Sequence, residues 1–127
     1  MNEVSLASLQ PLRIPSGWCV VLNNLHTLDP SEIEQIDDEG WKYLDEDLLA
    51  VRHDHFGITV DVGWYPAMSP DGQYRAHVIG EDDWERPLHT LTTRSLLELI
   101  VWVELQLTES HVHAGGTGKI ARSRSPR

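Results

Sequence analysis

Between Ile58 and Tyr65 the chain alternates without a break. Ile58, Val60, Val62 and Trp64 fall on one side, and Thr59, Asp61, Gly63 and Tyr65 on the other. A period of two belongs to a strand with one buried face; on a helix, residues sharing a face recur every three to four positions. Ser69-Pro70-Asp71-Gly72 follows, with Pro and Gly at the second and fourth positions of a type I turn. Tyr74, Ala76 and Val78 then alternate with Arg75 and His77. The segment is a β-hairpin with one apolar face that something else in the chain must cover, and one face carrying Asp61, Tyr65, Arg75 and His77.

The cover is expected at the C-terminal end. Ser95-Leu96-Leu97-Glu98 has the capping-box spacing that opens a helix, and Arg94 precedes Glu98 by four. Leu96, Leu99 with Ile100, Val103 and Leu107 then recur at helical intervals. Val101, Val103 and Leu105 also alternate, but the length and the cap favour a helix. Further strands are predicted at Trp18–Leu22, with an extension through Leu25–Leu28, at Leu48–His53, and at Trp84–Thr90, where Pro87 marks an edge or the first paired residue. Whether residues 41–50 begin as helix or strand stays open. Asp54-His55-Phe56-Gly57 reads as a turn. Asp29 at an N-cap, Pro30 at the first helical position and Glu32 in the first turn predict a short helix through Ile36. The fold class is α+β: an antiparallel sheet of about four to five strands with a C-terminal helix packed on one face.

The 127 residues suit one domain with a real core. Residues 1–10 are expected to form a loose N-terminus, 11–110 a single α+β domain, and 111–127 a disordered basic tail. Most of the five tryptophans are expected in the core. Cys19, the only cysteine, lies in an apolar run, where a buried thiol acts as a small hydrophobe. No secretory signal pattern opens the chain and no apolar run is long enough to span a bilayer, so a soluble cytoplasmic protein is expected.

Charge is unevenly laid out. Residues 1–113 carry all 20 carboxylates and six Lys or Arg, a net of −14, whereas 114–127 carry four cations and no acid. Such a body repels nucleic acid and anionic lipid and attracts basic partners. Nine of the acids lie between Asp29 and Asp47 with one base, Lys42. Their order does not match a calcium-binding loop. The plain reading is a solvated loop. The sharper one is a docking surface for a basic protein, in which Asp37, Asp38, Glu39, Asp45, Glu46 and Asp47 steer, Trp41, Tyr43 and Leu44 anchor, and the outward Tyr65 joins them. Glu81-Asp82-Asp83 is a second acidic stretch of the same kind.

Enzymatic signatures are weak. Seven histidines include the pairs His53/His55 and His111/His113, whose spacing puts two imidazoles on one face of a strand. His53, His55, Asp61 and His77 are the candidates for a metal-binding protein or metal-dependent enzyme, against the plainer reading of solvated histidines. Asp61 is also the best single candidate for acid–base work. Cys19 has no base nearby in sequence, and Gly115–Lys119 lacks the strand, spacing and helix of a phosphate loop. No cofactor is expected. A small-ligand module lined by Tyr65 is a further alternative, and free strand edges are compatible with a homodimer.

Gly17-Trp18 leading to Asn23-Asn24, Asp47-Leu48-Leu49, Asp61 to Pro66, Asp71 to Tyr74, Trp84-Glu85-Arg86-Pro87 and Thr93-Arg94-Ser95 together resemble a bacterial family of small proteins on the immunity side of toxin–immunity systems. The resemblance spans about residues 12 to 105 and rests on turns and aromatics. It implies an α+β protein that binds and blocks a basic toxin, without carrying over any contact residue.

Overall fold

The computed structural model describes residues 8–36 and 38–117, with the backbone alone at 34–36, 38 and 110–117. Five strands form one antiparallel sheet in chain order: β1 (Cys19–Asn23), β2 (Leu49–His53), β3 (Ile58–Tyr65), β4 (Gln73–Gly80) and β5 (His89–Thr93). Helix α1 (Pro30–Ile36) and a 3-10 turn (Asp38–Tyr43) lie between β1 and β2, and helix α2 (Leu96–Thr117) follows β5. The open helix-or-strand question at 41–50 therefore resolves into a 3-10 turn followed by a strand.

The hairpin forms as its alternation requires. Val60 faces Val78, Val62 faces Ala76 and Trp64 faces Tyr74, all fully buried on one face. The Gly72 N–H donates to the Ser69 carbonyl at 3.0 Å and closes the turn. Against this face α2 packs Leu96, Leu99, Val103 and Leu107, while Leu25, Leu28, Ile33, Trp41 and Leu44 complete the core beside it. Trp41 lies 6.0 Å from Trp64, and Trp18 and Trp102 pack at the margin. Only Trp84 among the five tryptophans stands exposed.

Both helices start at one residue. Asp29 accepts from the Ser31 N–H at 3.0 Å, and Glu32 accepts from the Asp29 N–H at 3.1 Å, a reciprocal cap on α1. The second Asp29 oxygen accepts from the Leu96 N–H at 2.9 Å, at the first turn of α2. Ser95 Oγ accepts from the Glu98 N–H as the capping box predicts, but the Glu98 carboxylate turns instead to Thr93 Oγ1.

Several boundaries differ from expectation. The last strand begins at His89, not Trp84: Glu81 and Asp82 adopt positive φ and a run of tight turns holds 83–86, so ladder pairing resumes only with the Leu88 N–H on the Val78 carbonyl. Leu25–Leu28 leaves the sheet and turns into the core. Ser8–Gln10 lies beside 25–27, with the Gln10 N–H on the Leu25 carbonyl and the Thr27 N–H on the Ser8 carbonyl. Residues 1–7 lie outside the described residues. Cys19 is exposed, because β1 is an edge strand. Helix α2 continues through Thr117, past the expected end of the domain at 110, and the remaining basic tail, 118–127, lies outside the described residues. Among the described residues no helix is long and apolar enough to cross a membrane.

Candidate functional site

The sheet face turned away from α2 gathers the outward residues of the hairpin. Register places Asp61 opposite His77, Gly63 opposite Arg75 and Tyr65 opposite Gln73, with Thr90 and Thr92 of β5 beside them. The acidic loop reaches the same face. The Leu48 N–H donates to the Val62 carbonyl and the Trp64 N–H to the Asp45 carbonyl, so residues 45–48 run along β3 before β2 begins. Gly63 permits this approach: a Cβ there would sit 2.1 Å from the Glu46 carbonyl oxygen. Tyr65 Oη donates a long hydrogen bond of 3.5 Å to that carbonyl, and the Arg75 guanidinium lies 5.2 Å from the Tyr65 ring.

These groups share one electrostatic field. Burial pushes the Asp61 carboxyl above its ordinary value, nearby Asp47 adds to the rise, and His77 opposes it. Burial also raises the Tyr65 hydroxyl, with Asp61, Glu46 and Asp47 reinforcing and Arg75 opposing. Tyr65 is therefore a neutral hydrogen-bond donor throughout the physiological range. His77 is half-buried, and its Nδ1 has no hydrogen-bond partner among the described residues.

At the far end of β3, about 20 Å away by strand rise, a second acidic loop closes the face. Arg52 reaches across Thr59 to Asp82 at 3.1 Å and also pairs with Asp54 at 2.9 Å. Glu81, Asp82, Asp83 and Glu85 are exposed beside the exposed Trp84. The face thus has a mixed polar and aromatic middle and a carboxylate rim at each end.

The expected anchors fare unevenly. Trp41 is 5% exposed and Leu44 is buried, so neither is available to a partner; both close the core under the acidic loop. Tyr43 is half-buried with its ring 4.8 Å from His26. Glu39 is exposed and pairs with Lys42 at 3.6 Å. Asp45, Glu46 and Asp47 are exposed and belong to the site. Asp37 and the Asp38 side chain lie outside the described residues.

The metal candidates are not brought together. His53 is 6% exposed on the core face, stacked on Phe56 at 4.0 Å and edge-on to Trp18 at 5.2 Å, and its Nδ1 accepts from the Phe56 N–H. His55 is exposed in the turn beyond it, while Asp61 and His77 occupy the opposite sheet face. Among the described residues no group of three or more His, Cys, Asp or Glu is placed to hold a metal ion. His111 and His113 lie in helical rather than strand backbone.

Leu97, Val101 and Leu105 are exposed along α2, on the side turned away from the buried Leu96, Leu99, Val103 and Leu107. The outward residues recur every four and were legible in principle. Comparison with family models, with curated proteins and with solved structures finds no match.

Proposed function

We propose that this chain is a non-enzymatic protein-binding module whose outer sheet face seats a basic protein partner and occludes it. The immunity side of a toxin–immunity pair is the biological setting it suits best. The observation that supports this most is the meeting of Asp45, Glu46 and Asp47 with Asp61 and Tyr65 on one half-exposed face, with a second acidic loop at its far end. Carboxylates at both ends steer a cationic surface inward, and Tyr65, Arg75 and His77 provide the contacts that fix it. A cytoplasmic setting fits a chain with one exposed, unpaired thiol.

The test is association kinetics with a basic protein captured from the host at low salt and encoded beside this gene. Steered association should slow at least tenfold between about 0.05 M and 0.5 M salt, where the screening length falls to roughly 4 Å. The triple variant Asp45→Asn/Glu46→Gln/Asp47→Asn should reproduce most of that loss at low salt. Association unchanged by both would refute the reading.

A further inference from the structure

We propose that the outward face of α2 is a second docking surface, one that takes an amphipathic helix of a protein partner with an apolar stripe flanked by Lys or Arg. The inward residues of α2 already account for the core. Leu97, Val101 and Leu105 serve no core: they are 71%, 58% and 46% exposed. A surface helix ordinarily turns a polar face to water. One exposed leucine needs no explanation, but three spaced four apart make a continuous strip about 12 Å long.

Charge selects the occupant. Helical geometry places Glu98 and Glu109 along one side of the strip and Glu104 along the other. Glu104 is fixed there by the Arg13 N–H at 2.8 Å. Helix α2 contains no Lys or Arg. A second copy of this chain would set these carboxylates against their own kind, and an anionic bilayer would be repelled by them. A helix with an apolar centre and basic flanks meets both the strip and its rim. The inference rests on the proposed function in taking the occupant to be a protein, but it concerns a different surface, whose own carboxylates set the sign of the partner's charge.

The probe is a labelled synthetic 18-residue helix with a leucine stripe and lysine flanks, titrated by fluorescence anisotropy against the full chain. A glutamate-flanked peptide of the same pattern is the comparison. The lysine-flanked peptide should bind, at least tenfold more weakly to Val101→Asp, and within twofold of normal to the Asp45→Asn/Glu46→Gln/Asp47→Asn variant. Leu97→Ser should weaken it in the same direction and carries the test if Val101→Asp fails to fold by circular dichroism. Equal binding to wild type and both α2 variants would overturn the proposal. So would equal binding of the two peptides, a dimer in sedimentation that Val101→Asp dissolves, or capture on phosphatidylglycerol vesicles. If the peptide does not bind while the captured partner still responds to the triple variant, the α2 proposal falls and the sheet-face reading stands.

Discussion

Asp29 uses one carboxylate for two helix starts, accepting from the N–H of Ser31 and from that of Leu96, 67 residues further along the chain. Burial works to raise its pKa, but hydrogen bonds from Ser31 and Leu96 and the charge of Arg94 outweigh it, so the carboxyl is held below its ordinary value. Stability from this group is therefore fully present above the ordinary carboxylate pKa and is lost as pH falls through the lowered folded value. Asp29→Ala should cost about 1–2 kcal/mol at pH 7 and less at pH 3, read by urea denaturation at both. Asp61 has the opposite sign. Its raised pKa means the ionised form is disfavoured in the fold, a penalty fully present above the folded pKa and relieved as pH falls through it. Asp61→Asn should thus stabilise the protein at pH 7 and leave it unchanged at pH 3. If it destabilises at pH 7, Asp61 makes a contact that its burial does not suggest. A carboxylate kept where it costs stability fits a partner-facing role. The local half of the Asp29 cap was legible from Asp29-Pro30-Ser31-Glu32, but its bond to Leu96 was not, since nothing in the spacing brings two helix starts together.

Gly63 shows how one position on a strand shapes the site. Its missing Cβ lets the Glu46 carbonyl pack directly on β3, and this lays the acidic segment beside Tyr65. Gly63→Ala should destabilise by about 1–3 kcal/mol through overpacking. It should also weaken capture of the basic partner, because the displaced segment carries Asp45, Glu46 and Asp47. Normal partner binding with reduced stability would separate the loop from the site. The hairpin and α2 were legible because each repeats its apolar period over several residues. The start of β5 was not: Trp84 suggested a strand with Pro87 at its edge, yet the left-handed backbone at Glu81 and Asp82 leads into turns that hold 83–86. Trp41 was misread for a related reason. Its acidic neighbours suggested a surface, while its ring packs near Trp64 and 6.0 Å from the Arg94 guanidinium. Arg94 itself also donates to the Pro70 and Gly72 carbonyls, tying the hairpin turn to the tryptophans.

Across the whole molecule, self-repulsion and partner attraction have one source and must respond to salt in opposite directions. The 20 carboxylates of residues 1–113 face six cations. The ion pairs among the described residues, Lys42–Glu39, Arg52–Asp54 and Arg52–Asp82, involve largely exposed acids, and such pairs each contribute only about 0–1 kcal/mol. Repulsion therefore dominates. Raising salt from about 0.01 M to 0.15 M shortens the screening length from roughly 30 Å to 8 Å and relieves it. The melting temperature should rise over that interval while association with the basic partner slows. The Asp45→Asn/Glu46→Gln/Asp47→Asn variant should start with a higher melting temperature, gain less from salt, and associate more slowly at low salt. Calorimetry and stopped-flow measurements on the same samples check this. A melting temperature that falls with salt would mean that local pairing outweighs repulsion, and the loop's acids would then be structural rather than held ready for a partner.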